Sequence, residues 1–123
     1  ASVYTNQIFA EPEGLSRLDE EWKFLYETRC NIVTQIASQW GGKIYFIPEL
    51  YSSDTNYFNA LNEMHLIMEK VANNNDNAEF FDLRETFEFN KIDFLDKCHF
   101  SKKGTSRFSK LLFEKLNKDI LCN

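Results

Sequence analysis

The alternation of apolar patterns along these 123 residues predicts an α/β fold. Three observations carry that prediction. Long stretches with apolar residues at three- and four-residue steps read as amphipathic helices. Two short, nearly all-apolar runs between them, KIYFIPEL and AEFFDL, read as strands buried on both faces, the habit of parallel sheets. The segment separating the two runs is long enough for a helical crossover between parallel neighbours. The order is helix, strand, helix, strand, loop, helix.

Taken in order, the first helix is predicted from Arg17 to Trp40, with Leu18, Trp22, Leu25, Ile32, Val33, Ile36 and Trp40 on its apolar stripe. Ser16 stands where an N-cap belongs, and Asp19 to Glu21 fall in the first turn, where acids complement the helix dipole rather than hold a metal. Gly41-Gly42 ends the helix. Ile44 to Ile47 form the first strand, closed by Pro48. After the polar stretch SSDTN, a second helix runs from about Tyr57 to Ala72 through Tyr57, Leu61, Met64, Met68 and Val71. His65 on this helix has no partner at ligand spacing and is expected at its surface or boundary. The run NNNDN is a loop, Ala78 to Leu83 a second strand, and Thr105 to Ile120 a last helix packing through Phe108, Leu111, Leu112 and Leu116.

Composition narrows the function classes. Apolar residues at 43% and charged residues at 27%, with two prolines and four glycines, describe one globular domain with a core, and most of the twelve phenylalanines belong to that core or to an interface. A net charge of -5 and a pI near 5.0 argue against nucleic acid, whose phosphates need clustered cations. Lys102, Lys103 and Arg107 are too few to reverse that. No run approaches the roughly 20 apolar residues of a membrane span. Cys30, Cys98 and Cys122 are odd in number and widely spaced, which fits reduced thiols and a cytoplasmic setting, with removal of an upstream export signal left open. No glycine-rich phosphate loop is present.

Two parallel strands make a poor domain, since parallel sheets are covered on both faces and have several strands. The chain opens at Ala1 without an initiator Met, and Val3 and Tyr4 could end one further strand. The expectation is a single partial α/β domain over residues 1–123, either the C-terminal part of a larger domain or one that pairs with a second copy through its sheet edge.

The chemistry lies in FLDKCHFSKKG, Phe94 to Gly104. Asp96 and His99 stand three apart, with Gly104 downstream, ahead of the last helix. At these residues the chain resembles the SGNH/GDSL hydrolase family. IYFIPELY is similar to the family's fourth strand with its terminal proline, and EFFDL to its fifth, so the resemblance runs in order from Lys43 to the C-terminus. It implies a three-layer, flavodoxin-like parallel sheet, of which about two or three strands are present here. It also implies an ester substrate, such as a carbohydrate O-acyl group or a lipid ester, and neither metal nor organic cofactor. His99 would be the general base that takes a serine's proton, and Asp96 the carboxylate that orients the imidazole and stabilises its cation. Asn6, in SVYTNQ, would supply an oxyanion-hole amide, although Tyr4 stands where the family has glycine, and a plain polar turn is the alternative.

The family's nucleophile motif is absent. Ser2, Ser16, Ser38, Ser52, Ser53, Ser101, Ser106 and Ser109 all lie outside a Gly-Asp-Ser setting. Ser101, though near His99, sits on no strained strand-to-helix elbow. The chain alone is therefore expected not to perform the family's reaction. Cys98 beside His99 lacks a CxxC or HxxxH partner and is expected to be a buried thiol whose side chain diverges from its neighbour. The competing reading is a non-catalytic α/β module that homodimerises through an unpaired sheet edge, with Asp96 capping a turn and His99 an ordinary loop residue.

Overall fold

The computed structural model describes residues 19–51, 58–87, 90–96 and 98–122. Asn6, Ser16, Leu18 and Tyr57 lie outside the described residues, as does the N-terminal strand expected around Val3 and Tyr4. The chain forms two compact units, one of Ala1–Phe46 with Thr55–Phe81, the other of Ile47–Asp54 with Asp82–Asn123. Among the described residues the elements are α1 (Asp19–Gln39), β1 (Ile44–Phe46), α2 (Phe58–Asn73), β2 (Ala78–Phe80), a 3-10 turn (Lys91–Asp93) and α3 (Lys102–Cys122). The described residues form a mixed α/β fold, with three helices and a small parallel sheet among them.

In the first unit β1 and β2 pair in parallel, in the register Ile44 to Ala78, Tyr45 to Glu79 and Phe46 to Phe80, and α2 is the crossover between them. Cys30, Phe46, Ile67, Val71 and Ala72 form the buried core, with Tyr26, Ile44, Met68, Ala78 and Phe80 against it. The stop after α1 is the expected one. Gly41 adopts φ +68°, open to glycine at no steric cost, and the Gly42 N–H returns to the Ala37 carbonyl at 2.8 Å. The asparagine-rich loop is a working part of the unit. The Asn77 amide donates to the Thr34 carbonyl at 2.9 Å and its own carbonyl accepts from Ile44 N–H at 2.8 Å, tying α1 to the start of β1.

Three expectations change here. The stripe predicted to pack α1 is instead largely exposed: Leu25, Ile32, Val33 and Ile36 face out and Trp40 is 86% exposed. The buried line holds Cys30 and Thr34, and the Thr34 hydroxyl donates to the Cys30 carbonyl at 2.8 Å, which lets a polar residue pass as core. His65 is buried on α2, not at its surface. The second strand ends at Phe80 rather than Leu83 because Asp82 turns the chain, accepting from the Arg84 N–H at 3.0 Å and its guanidinium at 2.7 Å.

In the second unit a smaller core of Leu50, Phe87 and Phe94 packs with Phe100, Phe108 and Leu111. Asn90 caps the 3-10 turn and Asp93 reaches back to the Asn90 N–H, a reciprocal capping box. The last helix begins at Lys102, three residues earlier than predicted, because Ser101 is its N-cap: the Ser101 hydroxyl accepts from Gly104 N–H at 3.1 Å and donates to the Ile92 carbonyl at 2.5 Å. Asp93 is fully buried, and its carboxylate accepts from Arg107, one turn into α3. That guanidinium lies over the Phe87 ring at 4.6 Å.

Gly104 is where α3 meets the 3-10 turn. A Cβ placed on it would fall well inside contact distance of the Asp93 carbonyl oxygen, a backbone atom with nowhere to go. Gly104→Ala is therefore expected to lose about 1–3 kcal/mol or more of stability, as overpacking does, measured by urea unfolding. An unchanged midpoint would show that the helix does not seat this closely.

Candidate functional site

The residues Phe94 to Phe100 form a closed loop between the 3-10 turn and α3. Ser101 N–H donates to the Asp93 carbonyl at 2.8 Å, Phe94 and Phe100 make an antiparallel bridge, and Leu95 N–H donates to the His99 carbonyl at 2.8 Å. Beneath the bridge the Phe94 and Phe100 rings stack with centroids 5.0 Å apart, and Phe100 stacks on Phe108 of α3 at 5.3 Å. The apolar residues at the loop's two ends thus hold it down. The polar residues between them, Asp96, Cys98 and His99, are left exposed at its tip.

At the tip the Asp96 carboxylate organises the chain. Its Oδ1 accepts from the Cys98 N–H at 2.9 Å and the His99 N–H at 2.7 Å, while its Oδ2 lies 2.7 Å from His99 Nδ1. This is an aspartate-capped turn, and it brings together the two residues the sequence singled out. The Cys98 backbone N–H, then the His99 backbone N–H and then the imidazole hold the Asp96 carboxyl down at about 2. An ionised carboxylate can only accept, so the proton between Oδ2 and Nδ1 belongs to the imidazole. That tautomer makes Nε2, on the opposite side of the ring, the basic nitrogen. The pair thus presents an oriented imidazole whose Nε2 is free to accept a proton in its neutral form.

Cys98 departs from expectation. Its thiol is exposed, not buried, and its side chain converges on its neighbour: Sγ is 3.5 Å from His99 Nδ1. The alternation that separates adjacent side chains holds in strands, and here the turn around Asp96 Oδ1 replaces it. One ligating atom from each of Asp96, Cys98 and His99 lies within 4.8 Å of the others. Partial desolvation, with the negative charges of Asp96 and Glu49, pushes the Cys98 thiol up. The sequence signal for this convergence was present, since an aspartate cap gathers the residues two and three positions on.

Ser101 is not a nucleophile in waiting, because its hydroxyl is committed to the helix cap and to the Ile92 carbonyl. Asn6, expected at an oxyanion hole, lies outside the described residues. A groove of about 330 Å³ in the same unit is lined by Thr86, Phe87, Arg107, Lys110, Leu111 and Glu114 and shares no residue with the pair.

A depressed carboxyl value fixes the sign of a pH effect. Whatever stability the Asp96 hydrogen bonds contribute is present above the ordinary value of 3.8 and lost as pH falls through about 2. Carbon-detected NMR of the Asp96 carboxyl is expected to give a midpoint near 2. A midpoint near the ordinary aspartate value would mean that the turn does not persist in solution.

Comparison with protein-family models, with curated proteins and with solved structures returned no match to the chain, so its function is inferred from its own residues.

Proposed function

We propose that the chain is the C-terminal part of an SGNH/GDSL-type ester hydrolase and supplies the acid–base pair of a serine-centred site. The observation that carries this reading is the 2.7 Å contact between Asp96 Oδ2 and His99 Nδ1, formed within an Asp-x-x-His turn that leads into the terminal helix. The parallel pair of β1 and β2, joined by a helical crossover, fits two neighbouring strands of the three-layer, flavodoxin-like sheet that a complete domain would have.

In this reading the serine comes from an upstream segment. Its hydroxyl adds to the carbonyl carbon of a small ester or an acylated carbohydrate as its proton passes to His99 Nε2. The ester C–O bond then breaks and the leaving alcohol takes that proton. A water, deprotonated by the same nitrogen, then adds to the acyl carbon, the bond to the serine oxygen breaks, that oxygen takes the proton back from Nε2, and the acyl group leaves as the acid. Asp96 stays ionised throughout, holding the tautomer and facing the imidazolium. Asn6 is proposed as an amide donor to the oxyanion. The scheme asks for no metal or cofactor.

A second reading, a module without catalysis that homodimerises through an unpaired sheet edge, draws on a sheet of only two strands among the described residues and on the exposed apolar residues Leu25, Ile32, Val33 and Ile36 of α1, with Trp40 just beyond its end. It predicts that sedimentation equilibrium of the chain gives twice 14.5 kDa.

The deciding experiment joins the chain to its upstream coding sequence. The product is expected to take one fluorophosphonate adduct, and His99→Ala to lower ester turnover by roughly 10⁴-fold or more, with Asp96→Asn also damaging while the domain stays folded. No adduct, or near-normal turnover in His99→Ala, would reject the assignment.

A further inference from the structure

We infer that the tip of the Phe94–Phe100 loop is a zinc site, with Asp96 Oδ2, Cys98 Sγ and His99 Nδ1 as its protein ligands and solvent in the fourth position. Three donors of three different kinds meet there, one atom each, all within 4.8 Å of one another. The spacing fits tetrahedral zinc. Bonds of about 2.3 Å to sulfur and about 2.05 Å to nitrogen at the tetrahedral angle place those two atoms about 3.6 Å apart. Cys98 Sγ and His99 Nδ1 are 3.5 Å apart.

Asp96 Oδ2 and Nδ1 are closer, at 2.7 Å, because a proton lies between them. Replacing that proton with the metal requires the carboxylate to swing out by about half an ångström to reach the tetrahedral edge. Oδ1 stays pinned by the two backbone N–H groups, so the swing is a small rotation about a fixed point. The donor set also selects the metal. A thiolate with an imidazole suits zinc and its neighbours in the transition series, whereas calcium and magnesium take oxygen alone. The short sequence between the ligands carries little loop-closure cost, and the aromatic stack and Ser101 cap already hold both ends of the loop.

Binding moves protons in a defined way. Zinc takes the place of the Cys98 thiol proton, which is released to solvent, and it takes Nδ1, so that the imidazole's proton moves to Nε2. The metal therefore reverses the tautomer that Asp96 imposes and converts the basic nitrogen into an N–H donor. That zinc switches the site off holds only if the hydrolase reading holds; the metal site itself does not depend on that reading.

The test begins with the metal-free 123-residue chain in a Cys122→Ser background, titrated with cobalt(II) and then with zinc(II). One equivalent of cobalt is expected to give a near-ultraviolet thiolate charge-transfer band with four-coordinate visible bands, all displaced by zinc. Cys98→Ser should abolish the charge-transfer band, and His99→Ala or Asp96→Asn should weaken zinc binding at least about 10-fold by calorimetry. Nitrogen NMR should show the His99 proton move from Nδ1 to Nε2 on zinc addition. Absence of a saturable band, its survival in Cys98→Ser, or unchanged zinc affinity in His99→Ala would overturn the site. The inhibitory consequence is read separately in the complete hydrolase, where one equivalent of zinc should lower turnover at least about 10-fold and a chelator should restore it. Zinc bound with the cobalt signature but without loss of turnover would overturn the switch. A hydrolase inactive even without metal would instead remove the catalytic reading and leave the cobalt result standing.

Discussion

The seating of the first turn of α3 against the Asp93 carbonyl is the constraint on which the second unit depends. Gly104 has no side chain, and a Cβ there would collide with that oxygen, so the two backbones approach as closely as only glycine permits. The approach lets Ser101 cap the helix while bonding the Ile92 carbonyl, and it lets Ser101 N–H reach Asp93. Arg107, one turn further on, then neutralises an Asp93 side chain that has no exposure to water. Each of these contacts joins the 3-10 turn to α3, and together they fix the separation of the two ends of the loop between them.

That separation explains how an exposed pair is nevertheless ordered. Ion pairs between exposed side chains contribute little to stability and do not by themselves hold a geometry. At Asp96 and His99 the holding is done by backbone: two N–H groups on Oδ1, a bridge between Phe94 and Phe100, and a bond from Leu95 to His99. The side chains inherit an orientation that the chain has already set. Cys98 inherits the same one, so the oriented imidazole and the donor atoms of the proposed zinc site share the tip, and His99 Nδ1 belongs to both. A proton at that nitrogen makes Nε2 a base; a metal there makes it a donor.

Much of the fold and the pair was legible in the sequence, and most of the failures have a common cause. The glycine stop after Gln39 and the pairing of Asp96 with His99 depend on local chemistry that a few residues express, and the parallel pairing of the two apolar runs on their composition and the length of the helical segment between them. The buried face of α1 depends on what α2 presents to it, and counting large apolar side chains favours Leu25, Ile32 and Trp40 over Cys30 and Thr34, which are smaller but fit. His65 is buried as well, which the spacing along its own helix does not reveal. Asn77 reads as one more loop asparagine until Thr34 is brought within 2.9 Å of it. Cys98 differs for another reason, because the divergence of adjacent side chains belongs to strands, whereas the Asp96 cap curls the chain. The 3-10 turn could have been foreseen, since Asn90 and Asp93 form a capping box at the expected spacing. Asn6 stays an inference from resemblance.

The most direct measurement of the central claim, that backbone and carboxylate fix the chemistry of His99, is the tautomer of its neutral imidazole. Two-bond nitrogen–proton NMR of metal-free protein with the imidazole neutral reads it without any substrate. The geometry predicts a protonated Nδ1 and a bare Nε2 in the wild type, relaxing toward the Nε2–H form that an unconstrained imidazole favours when Asp96 is replaced by asparagine. A wild-type His99 already in the Nε2–H form would contradict the account, because the ring would then face Asp96 with no proton to give.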